Sequence, residues 1–572
     1  MQPKDMPFFV TVYFTDRKEG YVMNQSNTPI SPRRSIAVNQ LGYPAEAAKS
    51  FVYAGPGGEY EIVDSASGDV VYRGTTGSAQ RDEASGTMVC RGDFGELRTP
   101  GTYRVCLNGE SSAAFAVGGD PYADLQQGLL KAFYYLRCGM ELEESFAGPW
   151  KHHACHTSEG IVYDDPSLRL DSRGGWHDAG DYGKYTGPGA KAVADLLLAY
   201  EGNPQAFERP IPLPESDGRM PDVLHECRYE LDWLFKMQDP RSGGAFHKLT
   251  TKQFPALDIM PEDDRSDLYF LPVSATATAC LAGVMALAAR VYRPFDDVFA
   301  TRCMQAAERA WAWLERTPPH PDGPGFKNPA DVGTGEYGDA SDLDERYWAA
   351  AELFRTTGAA KYHEAFRGLA AHPFAKYELG WTNMSGYGTI AYLLGAEAGA
   401  DVDGALLTAL RQGLLEEAGR LARRCTEDGY LTSLRPEDYI WGSNMVLMNN
   451  AMLLLIAGRL GGEERYRELA LEHIHYLLGR NVLDISYVSG FGDRPVNRLH
   501  HRPSVADGVE AAVPGLVSGG PNRNLNDDYM MEHLQGQPPA QCFIDHELSY
   551  AGNEVTIYWN SPAVFAVSQF VK

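Results

Sequence analysis

The stretch Ala114-Phe115-Ala116-Val117-Gly118-Gly119-Asp120-Pro121-Tyr122-Ala123-Asp124-Leu125 is where the chain changes its period. Before it, apolar residues come in short β-branched and aromatic runs; after it they recur at helical spacing. Upstream, Ser35 to Pro44 reads as a strand and a turn. Phe51-Val52-Tyr53, Tyr60-Glu61-Ile62-Val63, Val70-Val71-Tyr72 and Thr102-Tyr103-Arg104-Val105-Cys106 follow as strands parted by Gly and Asp turns. That spacing predicts a small β-sandwich over 34–118, closed by the strand at 114–117. Gly118-Gly119-Asp120-Pro121 then breaks the pattern and sets a boundary. Residues 122–572 are predicted to be helical, with apolar faces over 125–142, 190–200, 221–237, 275–292, 299–314, 345–356, 405–422, 444–460 and 464–478. Roughly a dozen antiparallel helices fit such a length, as a solenoid or as a closed α/α toroid, and periodicity does not choose between them.

The 572 residues exceed the ~250–300 at which one core stops growing, so more than one unit is expected. Hydrophobic residues make up 44% of the chain, enough for packed cores. The 51 basic and 76 acidic residues leave a net charge of -25. This excess disfavours nucleic acid, whose phosphates demand basic patches, and anionic membrane surfaces. It suits a neutral or cationic substrate, or serves solubility alone. Nine cysteines without dense spacing read as reduced thiols rather than a disulfide scaffold. No run reaches the ~20 apolar residues of a membrane span. Phe8-Phe9-Val10-Thr11-Val12-Tyr13-Phe14 is short, lacks a small-residue cleavage site and runs into Asp16-Arg17-Lys18-Glu19, which makes a poor leader peptide. With Met23 as an alternative start, residues 1–33 are expected to be a tail. A cytoplasmic protein is expected, with secretion as the alternative.

Five groups of residues are candidates for chemistry. In Gly174-Gly175-Trp176-His177-Asp178-Ala179-Gly180-Asp181-Tyr182-Gly183-Lys184-Tyr185, two aspartates stand three apart in a glycine-rich, aromatic turn. Carboxylates on such a loop can orient and deprotonate a water, and flat rings can stack on sugars; a plain Asx-rich turn is the bland alternative. Near the C-terminus, Asp545 and Tyr550 precede Asn553-Glu554-Val555-Thr556-Ile557-Tyr558-Trp559-Asn560-Ser561. Apolar surroundings raise a carboxyl pKa, as a general acid needs, whereas a capping Glu on the last helix needs nothing of the kind. Ser486 to Arg494 and Leu499-His500-His501-Arg502-Pro503 offer a His-His-Arg cluster that can bind several hydroxyls or a phosphate. Cys138, Cys155-His156 and His177 supply two soft and two borderline ligands, a donor set for tetrahedral Zn²⁺. Buried thiols beside ordinary histidines would read the same way, and His152 and His153 are rival ligands. Asp339, Asp342, Asp344 and Glu345 suit Ca²⁺, or merely complement the dipole of the helix they precede. Met260-Pro261-Glu262-Asp263-Asp264 is a further acidic turn, solvated or lining a groove.

Together these segments resemble glycoside hydrolase family 9. The segments at 486–503 and 543–561 follow its two signature patterns, and Asp178-Ala179-Gly180-Asp181 looks like its N-terminal catalytic loop. Trp441-Gly442-Ser443-Asn444-Met445 and Gly515-Leu516-Val517-Ser518-Gly519-Gly520-Pro521-Asn522 are similar to further family segments. Val38-Asn39-Gln40-Leu41-Gly42-Tyr43 resembles the start of the immunoglobulin-like module that precedes the catalytic domain in one branch. The resemblance implies an (α/α)₆ barrel behind an immunoglobulin-like β-sandwich. It implies an inverting hydrolase of β-1,4-glucans or cello-oligosaccharides, with Glu554 as general acid, Asp181 as base on water and Asp178 as its helper. His500, Arg502 and Trp441 would bind sugar, with Asp545 and Tyr550 alongside them supporting the acid. A structural zinc on Cys138, Cys155, His156 and His177 is implied as well. So is calcium near Asp344 and Glu345, although Ala340-Ser341 departs from the family pattern there. The expected partner is a β-linked oligo- or polysaccharide, with no organic cofactor, nucleic acid or membrane. The competing readings are an exo-acting β-glycosidase, such as a β-glucosaminidase on chitosan oligomers, and a non-catalytic carbohydrate-binding protein. Intact Asp178, Asp181 and Glu554 speak against the latter.

Overall fold

The computed structural model describes residues 33–572 apart from 321, 322 and 324. The leader-like run at 8–14 and the alternative start at Met23 lie outside the described residues. The first unit is a sandwich of two sheets. One orders Ile36–Ala37, Ser50–Tyr53, Met88–Asp93 and Gln80–Arg81; the other orders Gly42–Tyr43, Phe115–Val117, Gly101–Leu107, Glu59–Asp64 and Val70–Thr75. Alternation decides the facing: Tyr103, Val105 and Leu107 are buried, while Thr102 and Arg104 are exposed. Phe51, Tyr60, Ile62, Phe94 and Phe115 complete this core. The predicted strand at the start is two short strands in different sheets. Asn39 Oδ1 accepts from the N–H groups of Leu41 and Gly42, and this turn carries the chain from one sheet to the other. The strand at Met88–Asp93 was not anticipated, because Cys90-Arg91-Gly92 interrupts its apolar alternation.

Twelve long helices follow among the described residues: α1 (Ala123–Tyr135), α2 (Thr186–Gly202), α3 (Asp222–Met237), α4 (Ala275–Tyr292), α5 (Asp297–Arg316), α6 (Leu343–Thr357), α7 (Ala360–Ala370), α8 (Ser385–Glu397), α9 (Gly404–Glu427), α10 (Ser443–Gly461), α11 (Glu464–Leu477) and α12 (Ile557–Ser568). The even-numbered helices form an inner ring: α2, α4, α6 and α8 pack in succession, α10 packs on α12 and α12 on α2, while the odd-numbered ones lie outside. This is the (α/α)₆ barrel, and it removes the solenoid alternative. Burial follows position. The outer α5 buries one stripe, Phe299, Cys303, Ala307, Ala310 and Leu314, whereas all of α12 is buried. The inner α4 is long and apolar enough to cross a membrane by length and composition, yet neighbouring helices bury 83% of it.

Three helices, α7, α8 and α12, escaped the sequence reading. α8 and α12 are buried on almost every side and show no apolar stripe, and α12 also carries Pro562 in its interior, whereas the short outer α7 buries only Tyr362 and Phe366. Pro562 has no N–H for the carbonyl of Tyr558, and Lys191 Nζ of α2 approaches that orphaned oxygen at 3.5 Å. Lys191 is itself held by Asp195 one turn along (2.7 Å). Conversely, α1 stops at Tyr135 rather than reaching 142. Arg137, fully buried between Glu215 and Glu226, and the bond from Cys138 N–H to Gly175 O (2.8 Å) draw the chain out of the helix. The long loops also hold a five-stranded sheet that helical periodicity could not announce: Asp165–Leu170, Gly160–Val162, Tyr269–Phe270, Lys248–Thr250 and Lys184–Tyr185.

The sandwich is bonded onto the barrel through Asn39 and Gln40. Asn39 Nδ2 lies 2.9 Å from His475 Nδ1 of α11, and Gln40 accepts from the N–H groups of Asp493 and Arg494. The inner helices all begin at one mouth of the barrel. The segments just before α2, α6, α10 and α12 hold Asp178 and Asp181, Tyr337, Trp441 and Glu554 respectively.

Candidate active site

The loop 178–183 is stitched to the last helix and to the 500–502 loop. Ile557 N–H donates to Asp178 O (2.9 Å), and Arg502 donates to Gly180 O from its backbone N–H (3.0 Å) and from Nη1 (2.9 Å). Gly180 is required here: a Cβ would stand 2.0 Å from the carbonyl oxygen of His500. Asp178 is fully buried, and its Oδ2 accepts from Tyr337 Oη (2.7 Å), which is also 2.9 Å from Tyr558 Oη. Its Oδ1 has no protein partner. Burial pushes the Asp178 carboxyl well above the usual range, and the Asp181 charge adds to this against the bond from Tyr337. Asp181 keeps a little exposure, and its Oδ1 accepts from Gly183 N–H (2.5 Å).

Glu554 approaches from the other side, two residues before the N-cap of α12. Thr556 is that cap, its hydroxyl accepting from Trp559 N–H (3.1 Å), so the capping role proposed for Glu554 is filled by another residue. Glu554 sits in extended backbone, and its carbonyl accepts from Gly519 N–H (2.9 Å). Its carboxyl is raised well above the ordinary value, first by burial and then by the Asp181 charge, with Arg502 opposing. A carboxyl of raised pKa near a pair of aspartates suits the cleavage of an acetal, in which one group gives a proton to the leaving oxygen while another takes one from water.

The remaining predicted residues cluster around this centre. Asp545 accepts from the N–H groups of Asn497 and Arg498 (2.9 Å each) and from Asn553 Nδ2 (2.9 Å), which fixes the backbone on both sides of the site. His500 Nδ1 lies 2.6 Å from Glu547 O and so carries the proton there. Burial lowers its pKa to about 4, leaving Nε2 as an acceptor. Rings run from Trp441 to Tyr550 (5.4 Å) and on to His500 (5.8 Å). Arg502, expected to touch sugar, bonds to Gly180 O and, through Nε and Nη2, to Pro255 O (3.1 and 2.9 Å). Three of its five N–H donors thus hold loops together. Sequence reasoning missed Tyr337, the bridge to Asp178, on which Tyr185 of the aromatic turn packs at 4.3 Å. The one local sign at Tyr337 is a Gly-rich turn, in which its φ is +48°.

Cys138, Cys155, His156 and His177 are all buried, and one ligand atom from each lies within 4.8 Å of the others. Both ring nitrogens of His156 and Nε2 of His177 are buried without hydrogen-bond partners, and Asp264 Oδ2 stands 3.5 Å from His156 Nε2. Two thiols, two free imidazole nitrogens and a carboxylate behind one ring fit a closed zinc site. His152 and His153 stay outside it; His152 Nδ1 bonds to the carbonyl of His153. The acids before α6 are looser. Asp344 Oδ2 accepts from Met384 N–H (2.6 Å), while Glu345 Oε2 and Asp339 Oδ2 are buried without partners. Burial and mutual repulsion raise all three carboxyls, a cost that an oxygen-seeking cation would relieve.

A helical barrel with an acid and an aspartate pair at its mouth defines a glycoside hydrolase. The glycosyl hydrolase family 9 model matches residues 122–567, and a cellulase N-terminal Ig-like domain model matches residues 31–112. The chain belongs to glycosyl hydrolase family 9, with an N-terminal Ig-like domain. It is 38% identical to a cellodextrinase from Butyrivibrio fibrisolvens, over 94% of this chain and 99% of the relative. A solved single mutant of a thermostable endoglucanase from Alicyclobacillus acidocaldarius superposes with a TM-score of 0.88 and 41% identity, covering 94% of this chain and 99% of that one. A zinc-binding triple mutant of the family 9 endoglucanase J30 matches with a TM-score of 0.86 and 35% identity, over 92% and 99%.

Proposed function

We propose that this protein hydrolyses β-1,4-glucosidic bonds of soluble glucans and cello-oligosaccharides with inversion, using Glu554 as acid, Asp181 as base and Asp178 to hold the water. The observation that carries this is that the Asp178–Asp181 loop is bonded through Asp178 O to Ile557 N–H, three residues after Glu554, whose carboxyl is raised by burial and by the Asp181 charge. Glu554 protonates the leaving oxygen. Asp178 is fully buried and tied to Tyr337, which suits it to holding the water, while Asp181 keeps some exposure to the cleft, so the base role falls to Asp181. Trp441, Tyr550 and His500 offer apolar faces and an acceptor nitrogen to sugar rings. The cellodextrinase and endoglucanase relatives support the substrate class. With all nine cysteines unpaired, a reducing cytoplasmic location belongs to the same proposal.

Single displacement by water inverts the anomeric centre once, so β-linked substrate should release α-anomer. Proton NMR at early times on cellotetraose, run beside chitosan oligomers, checks anomer and sugar specificity together. An initial β-anomer would refute the inverting roles, and turnover of chitosan alone would move the substrate to glucosamine.

We further propose that Cys138, Cys155, His156 and His177 hold one structural Zn²⁺, and that Asp339, Asp344 and Glu345 hold Ca²⁺. The zinc would cross-link the segments leading to Asp178, since His177 is its neighbour in sequence. Protein purified without added metal should contain close to one zinc per chain by elemental analysis. Cys155→Ser should lower the melting temperature and activity while leaving the shape of the pH profile. Metal-free protein with an unchanged melting temperature would count decisively against the site.

A further inference from the structure

Lys248 is fully buried beside the catalytic loop, although sequence patterning gave no reason to single it out. It lies on the short strand Lys248–Thr250, paired with Tyr185, the residue that ends the loop bearing Asp178 and Asp181. Its Nζ donates to Gly335 O (2.6 Å) and Thr334 Oγ1 (3.1 Å), with Thr334 O at 3.4 Å. The preceding residue acts on the same segment: His247 Nε2 lies 3.1 Å from Glu336 O, and its Nδ1 is 2.9 Å from Ser274 Oγ. One strand thus holds residues 334–336 through two adjacent side chains. Residue 337 is the tyrosine whose hydroxyl bonds to Asp178 Oδ2.

The charge of Lys248 matters too. The charged groups facing it are Asp181 and Glu336, with the ring of Tyr185 5.5 Å from Nζ and His247 alongside. Burial holds His247 neutral, with its pKa lowered to about 3, so Lys248 is the cation on the Asp181 side as Arg502 is on the Glu554 side. We propose that Lys248 is a positioning residue for the hydrolytic step: its buried ammonium locks the Tyr337 segment beneath Asp178 and supplies the positive charge facing Asp181. This rests on the reading of Asp181 as base.

Burial lowers Lys248 to about 7, with the Asp181 and Glu336 charges opposing. The ammonium is therefore present below that pH and is lost above it. Loss of the Glu554 proton also cuts activity at high pH, so the acid limb of the profile discriminates better. With the charge removed, protonating the base becomes easier, and the acid limb of kcat/KM should move to higher pH by about one unit. Lys248→Met should show this shift together with a kcat loss of roughly 10–100-fold on cellotetraose, with KM changed far less. Lys248→Arg, charged at every pH, should restore the acid limb and extend activity to higher pH. A thermal melt of each variant accompanies the kinetics. If Lys248→Met loses activity equally at all pH values with its acid limb unmoved, or keeps full activity, the proposal is overturned. Asp181→Asn measured alongside separates the two readings. An inactive Asp181→Asn beside an unshifted Lys248→Met sinks Lys248 alone; an active Asp181→Asn sinks the base assignment and this proposal with it.

Discussion

Glu554→Gln should lower kcat on cellotetraose about 10²–10⁴-fold while leaving the fold intact. The amide fits the space of the carboxyl but has no acidic proton for the leaving oxygen. The size of the loss should depend on the leaving group. An aryl cellobioside whose phenol departs unaided should be hurt far less than an oligosaccharide. The pH profile adds a second test. The Glu554 carboxyl is raised well above its unfolded value by burial, which favours its protonated form. Wild-type activity should fall as pH rises through that raised value, and the residual activity of Glu554→Gln should lack this alkaline limb. Stability carries the same sign. A group whose folded pKa is raised contributes fully below its unfolded pKa and loses that contribution as pH rises through the folded one. The Gln variant escapes this loss, so its melting temperature relative to wild type should rise with pH. Near-wild-type turnover of cellotetraose by Glu554→Gln would end the assignment.

The three carboxyls proposed for catalysis stand out in the sequence because each sits in a local pattern whose residue types are chemically unusual. Asp178 and Asp181 share one glycine-rich turn, and Glu554 lies among apolar residues that the fold does bury. The four residues proposed to hold zinc were legible by type, while their approach to within 4.8 Å required the fold. Tyr337 was not legible, because its bond to Asp178 joins residues 159 apart in sequence. Lys248 was hidden for a related reason: a lysine on a strand reads as solvated until the carbonyls of Thr334 and Gly335 are brought over it. Arg502 was recognised as important, but the carbonyls that engage it, Pro255 and Gly180, come from loops only the barrel brings together. The architecture divides similarly. The long outer helix α5 announces itself by a stripe, whereas the fully buried α12, which Glu554 precedes, has none.

Asp181→Asn should be the other severe lesion, with a loss of roughly 10²–10⁴-fold in kcat and little change in melting temperature. Asp181 is the aspartate with some exposure to the cleft; its bond from Gly183 N–H can be kept by the amide oxygen of Asn. What Asn cannot do is take the proton from the attacking water. Asp178→Asn should behave differently. Asp178 is fully buried, its carboxyl is raised, and it accepts from Tyr337. An amide oxygen can still accept that bond, and the side chain keeps its size and shape. The expected loss at Asp178 is therefore smaller than at Asp181, and it should grow when Tyr337→Phe is combined with it only if the two act separately on the water. Leaving-group ability distinguishes these lesions from that at Glu554, because water activation is needed whatever departs: Asp181→Asn should be as slow on an activated aryl glycoside as on cellotetraose. Added azide, which needs no base, should recover turnover of the activated substrate by Asp181→Ala, with α-glycosyl azide as product. If Asp178→Asn proves the slower enzyme on both substrates and azide rescues it instead, the base is Asp178, and the roles of the two aspartates exchange.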